Sequence, residues 1–201
     1  MTDKNVNQQV LGSLMLHPQY LSEVDKYNLI PNDFSTRFEK YIFIAIDGLY
    51  RNGAKTISEV DIANYLETDS AAKTVFDKYN GIEYLQDIQE LTSPDNFQYY
   101  YQKLKKLNLL TDLKKQGFNT EDYYCEDLTN PHATEINRKF EDLTIQDIID
   151  GFKSKLLHFE NDYSQSEEVQ TQNLSEGMED LVNNLTEDLE IGRPIQGEIY
   201  N

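Results

Sequence analysis

The chain has no tryptophan and a single cysteine, Cys125, so it can form no intramolecular disulfide, and a cysteine-built metal site would lack a second thiolate. Basic residues are scarce: 18 Lys and Arg face 36 Asp and Glu, a formal charge of −18. Nucleic-acid binding runs on Lys and Arg displacing counterions from phosphates, so most of this surface cannot serve it. The opening Met1-Thr2-Asp3-Lys4-Asn5-Val6 has no apolar signal region, and no apolar run approaches the roughly 20 residues of a membrane span. A soluble, cytoplasmic protein without a membrane partner is expected. Apolar residues are 38% of the chain, below the usual globular share, yet 14 Tyr and 9 Phe supply bulk for a core. That core is not expected to include the whole chain.

No segment alternates with the period of two that a half-buried strand requires, and helical spacing recurs instead, so the fold class is all-α. Val6, Val10, Leu11 and Leu14 share one helical face, which His17-Pro18 interrupts. Tyr20, Leu21 and Val24 predict a second short helix, and Leu29 to Phe34 reads as a connection that drops apolar side chains into the core. Thr36-x-x-Glu39 is a capping box for a helix with Phe38, Tyr41, Ile42, Ala45, Leu49 and Tyr50 inward, stopped at Asn52-Gly53. A short helix follows from Val60 to Leu66, whereas residues 68–80 carry only Val75 and Phe76 as anchors and are left undecided. After Gly81 comes a stripe of Tyr84, Leu85, Ile88 and Leu91. Ser93-Pro94 then predicts a cap and a first helical position for a long helix whose stripe runs from Phe97 to Leu110 and stops at Gln116-Gly117. Residues 1–117 form the compact domain in this reading.

Residues 118–163 are expected to form a helical hairpin, with one helix from Glu135 to Asp142 and a second capped by Thr144-x-x-Asp147 whose stripe is Ile148, Ile149, Phe152, Leu156 and Phe159. Its apolar positions, Phe140, Leu143, Ile145, Ile148, Ile149, Phe152 and Leu156, exceed what a lone two-helix unit can bury. They mark either a subunit-pairing surface or a face that folds back on the first domain. From Glu160 to Glu190 ten acidic residues occur without a single Lys or Arg. Residues 164–201 therefore read as an acidic linker. Within it Leu174, Met178, Leu181, Leu185 and Leu189 recur at helical spacing, predicting an amphipathic helix over about 173–190 that docks its stripe elsewhere.

Local chemistry is sparse. Gly192 to Ile199 has the glycine spacing of a phosphate-binding loop, but Glu198 stands where the phosphate-gripping Lys belongs and Ile199 where the Mg-binding hydroxyl belongs. His17, His132 and His158 are too dispersed to make a ligand pair, and Cys125 lies among Glu121, Asp122, Glu126 and Asp127, which disfavours a thiolate. Adjacent carboxylates such as Glu179 and Asp180 are uninformative at this acidic density. Lys103, Lys105, Lys106, Lys114 and Lys115 follow Tyr99, Tyr100 and Tyr101, a combination that could grip single-stranded nucleic acid. Helical spacing turns Tyr100, Tyr101, Leu104 and Leu107 inward and leaves the lysines as a solvated face, so DNA contact through this segment is not expected. No catalytic, cofactor or metal residue is nominated.

The order of several short motifs is more telling. Gln9-Val10-Leu11-Gly12-Ser13-Leu14-Met15-Leu16-His17-Pro18, Pro31-Asn32-Asp33-Phe34, Ile42-Phe43-Ile44-Ala45-Ile46, Gly81-Ile82-Glu83-Tyr84-Leu85 and Ser93-Pro94-Asp95-Asn96 resemble, in order and spacing, the N-terminal domain of DnaB-type replicative DNA helicases. The pattern departs at Ser35, Arg37 and Glu39, where the family often has an aromatic, a Pro and a His, and at Asn80, one of a frequent Gly-Gly pair. Beyond about Lys115 the likeness is only architectural, as in a phage or mobile-element member. The resemblance implies a non-catalytic collar domain whose hairpin pairs subunits into dimers and a ring of six. It also implies a linker helix docked on a neighbouring subunit, and surfaces that receive primase or a helicase loader. ATP and Mg would belong to a separate ATPase domain, so this chain would hold no cofactor. Two other readings stay open: a free-standing acidic adaptor or inhibitor of a basic partner surface, motivated by the charge, and an enzyme whose site has no local motif.

Overall fold

A computed structural model describes residue 1, residues 3–127 and residues 129–164; the expected linker helix with Leu174, Met178, Leu181, Leu185 and Leu189, and the glycine-spaced stretch 192–199, lie outside them. Among the described residues there are helices and no strands, in agreement with the all-α reading. The helices are α1 (Lys4–Leu16), α2 (Arg37–Arg51), α3 (Glu59–Leu66), α4 (Ser70–Lys78), α5 (Gly81–Leu91), α6 (Phe97–Lys115), α7 (Ala133–Asp142) and α8 (Ile145–Ser164). Two compact units divide the chain, Met1–Asp150 and Gly151–Asn201. Residues 118–150 belong to the first unit.

Helix α1 packs against α2, α5 and α6, and its interior position explains why polar residues are buried on it. Buried polar groups need partners. Asn7 donates to the Glu39 carboxylate at 3.0 Å, while Gln9 donates to the Leu91 carbonyl at 2.9 Å and accepts from the Ser93 amide at 3.1 Å. Gly12 lets α5 approach: a Cβ there would lie 2.0 Å from Thr92 Oγ1 and 3.0 Å from the Ile88 carbonyl. The first and last of the ordered motifs therefore touch in space. Between them, the Asp33 carboxylate accepts from the Ile30 amide at 2.8 Å, from Lys105 at 2.7 Å and from Asn108 at 3.0 Å, fixing the 31–34 turn on α6 while Phe34 enters the core.

The expected capping box at α2 is present, with Thr36 Oγ1 accepting from the Glu39 amide at 3.1 Å and the Glu39 carboxylate from the Thr36 amide at 3.2 Å. Ser58 and Asp61 form an unanticipated second one at α3, and Asp69 caps α4, so the undecided stretch is helical. Three expectations need correction. Tyr20 stacks on Phe97 at 4.1 Å, but only a 3₁₀ turn forms over Pro18–Ser22 and Val24 is exposed. Leu91 points to solvent because α5 ends there. Ser93 does not cap with its side chain: a 3₁₀ turn at Pro94–Asn96 precedes α6. Asn80 adopts φ +50°, the left-handed conformation that Asn tolerates, so the departure from glycine preserves the backbone geometry at the start of α5.

The capping carboxylates predict a pH response. Hydrogen bonds from the Ser58 hydroxyl and amide hold Asp61 below its ordinary value, and those from Thr144 do the same to Asp147. A lowered folded pKa gives a contribution that is complete above the ordinary carboxylate range and lost as pH falls through the folded value. Carboxyl NMR titration should place both midpoints below the usual value of about 3.9, with the first turns of α3 and α8 fraying as the carboxylates protonate. Ordinary midpoints would contradict these caps.

Candidate assembly surface

The segment after α6 is held by main-chain contacts that no local motif announces. Asn137 on α7 forms a two-way bridge to Cys125, accepting from its amide at 2.9 Å and donating to its carbonyl at 3.0 Å. Cys125 is buried and its thiol donates to the Asp127 carbonyl at 3.3 Å, a structural placement. Helix α7 starts at Ala133, two residues earlier than expected, because the Asn130 side chain accepts from the His132 amide at 2.9 Å and organises the turn at Pro131.

The end of α7 is fixed by α6. The Lys106 ammonium donates to the carbonyls of Phe140, Glu141 and Leu143 at 2.8, 3.1 and 2.9 Å and sits 4.5 Å from the Phe140 ring centroid. Helix C-termini leave carbonyls without intrahelical partners and carry partial negative charge, so a buried cation there satisfies both. Burial lowers the Lys106 pKa, against which the nearby Glu141 charge works. Glu141 accepts from Lys103 at 2.6 Å and Tyr99 at 2.9 Å. Burial pushes the Glu141 carboxyl up, but those two hydrogen bonds and the Lys103 charge more than offset it and leave it below its ordinary value.

This geometry corrects the reading of the lysine cluster. Lys103 pairs with Asp3 and Glu141, Lys105 with Asp33, Lys114 with Glu126 and Lys115 with Asp112, while Lys106 is buried. Lys103 and Lys105 are thus tied to carboxylates from elsewhere in the fold and Lys106 to main-chain carbonyls, while Lys114 and Lys115 stay on the surface, each paired with a carboxylate.

Helix α8 follows a two-residue link and starts at the expected box, in which the Asp147 carboxylate accepts from the Thr144 amide at 2.8 Å and Thr144 Oγ1 accepts from the Asp147 amide at 3.1 Å. The seven expected interface residues separate into groups. Phe140, Ile148 and Phe152 are buried, and Leu143 and Ile149 are half-buried. Ile145 and Leu156 are exposed. In the second unit Leu156 (53% exposed), Phe159 (59%) and Tyr163 (75%) follow Phe152 at i+4, i+7 and i+11 and so share one face, with Leu157 beside it also half uncovered. Four large side chains within eight residues of an acidic chain are thus at least half exposed. The sequence stripe reached Leu156 and Phe159; Leu157 and Tyr163 add to it.

Among the described residues no helix is long and apolar enough to cross a membrane. The DnaB-like helicase N terminal domain family model matches residues 2–106. The SPbeta prophage-derived uncharacterized protein YorI of Bacillus subtilis (strain 168) is 32% identical over 200 residues, covering 99% of this chain and 40% of the relative. The chain thus spans about two-fifths of that relative's length.

Proposed function

The chain belongs to the DnaB-like helicase N-terminal domain family, and from that premise we propose that it is the non-catalytic assembly segment of a hexameric replicative DNA helicase of phage type, working in the cytoplasm. In this reading α7 and α8 pair neighbouring subunits and the collar surface receives primase or a helicase loader. ATP, Mg and strand translocation belong to an ATPase domain elsewhere in the protein. The observation that carries the proposal is the exposed apolar face of α8 at Leu156, Leu157 and Phe159, beyond the family-matched region. Burying such side chains contributes roughly 1.5–3 kcal/mol each, enough for pairing that is weak in a fragment and firm in a ring.

Two measurements test it. Sedimentation should show concentration-dependent association, helped by salt because the charge of −18 opposes the approach of copies. The purified chain should not hydrolyse ATP, since Glu198 and Ile199 replace the side chains that would hold phosphate and metal. Hydrolysis abolished by a change at Gly192 or Gly197 would overturn the assignment.

A further inference from the structure

A second surface is built by residues of α1, α2, α4 and α5 and of the turns beside them. A cleft of about 600 Å³ opens between the start of α2 and the α4–α5 turn. Its wall is aromatic: Phe38 meets Tyr79 at 5.2 Å and Tyr84 at 4.9 Å between ring centroids, and Tyr79 is 55% exposed. Its rim carries Lys4, Arg37 and Lys78, from three different helices.

These cations stand out because most of the others are neutralised. Lys26, Arg51, Lys73, Lys103, Lys105, Lys114, Lys115 and Lys139 each have a carboxylate within ion-pair distance. Lys4, Arg37 and Lys78 have none among the described residues; Arg37 lies on the Tyr41 ring and hydroxyl, and Lys78 over the Tyr79 ring. In a chain with a twofold excess of acid, three unmatched cations around one apolar cleft form a surface of opposite sign to the rest.

We propose that this cleft docks a short acidic segment of a partner protein, placing one aromatic or large aliphatic side chain on Phe38, Tyr79 and Tyr84 and its flanking carboxylates at Lys4, Arg37 and Lys78. The polarity of the cleft sets this arrangement. Glu39 lies within it, its carboxylate already used by Asn7 and Thr36, so a ligand anion is repelled from the interior and held at the rim. Burial and the Glu39 charge push the Tyr84 hydroxyl well up. A nucleic-acid strand fits poorly: its affinity comes from many phosphate contacts along a cationic track, and here only three cations line one cleft on a strongly acidic protein. The lining charges orient the segment and speed its encounter, and at low salt, where they are little screened, they add to its affinity.

The test is a fluorescence titration of the full chain with a fluorescein-labelled peptide, Glu-Asp-Leu-Phe-Asp-Glu, capped at both ends, at low salt. The peptide should bind and shift the ring signals of Phe38, Tyr79 and Tyr84. Its Gln-Asn counterpart should bind at least about tenfold more weakly, as should the acidic peptide with Lys4→Glu/Lys78→Glu and with Tyr79→Ala. Both variants alter exposed side chains, and an unchanged circular-dichroism melt confirms that they fold. No binding at millimolar peptide, equal binding by the folded variants, or displacement of the peptide by oligothymidylate at comparable concentration would each overturn the proposal.

Discussion

Replacing Lys106 with Met should lower the stability of the first unit by about 2–3 kcal/mol, which for a unit of this size is a fall in melting temperature of roughly 5–10 °C. Met keeps most of the stem over Phe140 but removes three donors at once, leaving the carbonyls of Phe140, Glu141 and Leu143 at a poorly hydrated site. Relief of the desolvation of a buried ammonium offsets part of the loss, so the cost stays below that of breaking a fully buried ion pair. Hydrogen exchange should quicken in the last turn of α7 and across Leu143-Thr144, while α1 and α5 remain protected. A melting temperature within about 1 °C of the parent, with unaltered α7 exchange, would mean that α7 is held by packing alone.

The second large effect concerns association. Leu156→Asp with Phe159→Asp should abolish self-association, because it replaces two uncovered side chains on one face with charges that would have to be desolvated in any pairing. The same pair of changes should leave the melting temperature near that of the parent, since both positions are more than half exposed. Ile149→Asp with Phe152→Asp, the choice the sequence stripe suggests, is less discriminating: Phe152 is buried, and its loss would damage internal packing as well. Association that survives the Leu156/Phe159 pair would remove this face from the pairing surface.

The contrast between Phe152 and Leu156 shows what periodicity can deliver. Spacing identified the apolar side of α8 and the box at Thr144 and Asp147, because both are local patterns. It could not say where along that side the chain's own burial ends. Val6, Val10, Leu11 and Leu14, and the box at Thr36 and Glu39, were legible for the same reason. Lys106 was not. Its partners are main-chain carbonyls 34 to 37 residues away, which have no side-chain signature. The available signal was its place beside Leu107 and four residues before Leu110, on the buried side of α6. The cleft was missed because Lys4, Arg37 and Lys78 come from three helices and share no spacing.

Association of the chain itself tests the assembly role most directly. Analytical ultracentrifugation from about 10 µM to about 1 mM, the range in which a modest interface is populated, should show the weight-average mass rising above the monomer's 23.4 kDa, and rising further in moderate salt than in low salt. A single 23.4-kDa species at every concentration and salt would contradict a pairing surface on α8 and the assembly function proposed from it.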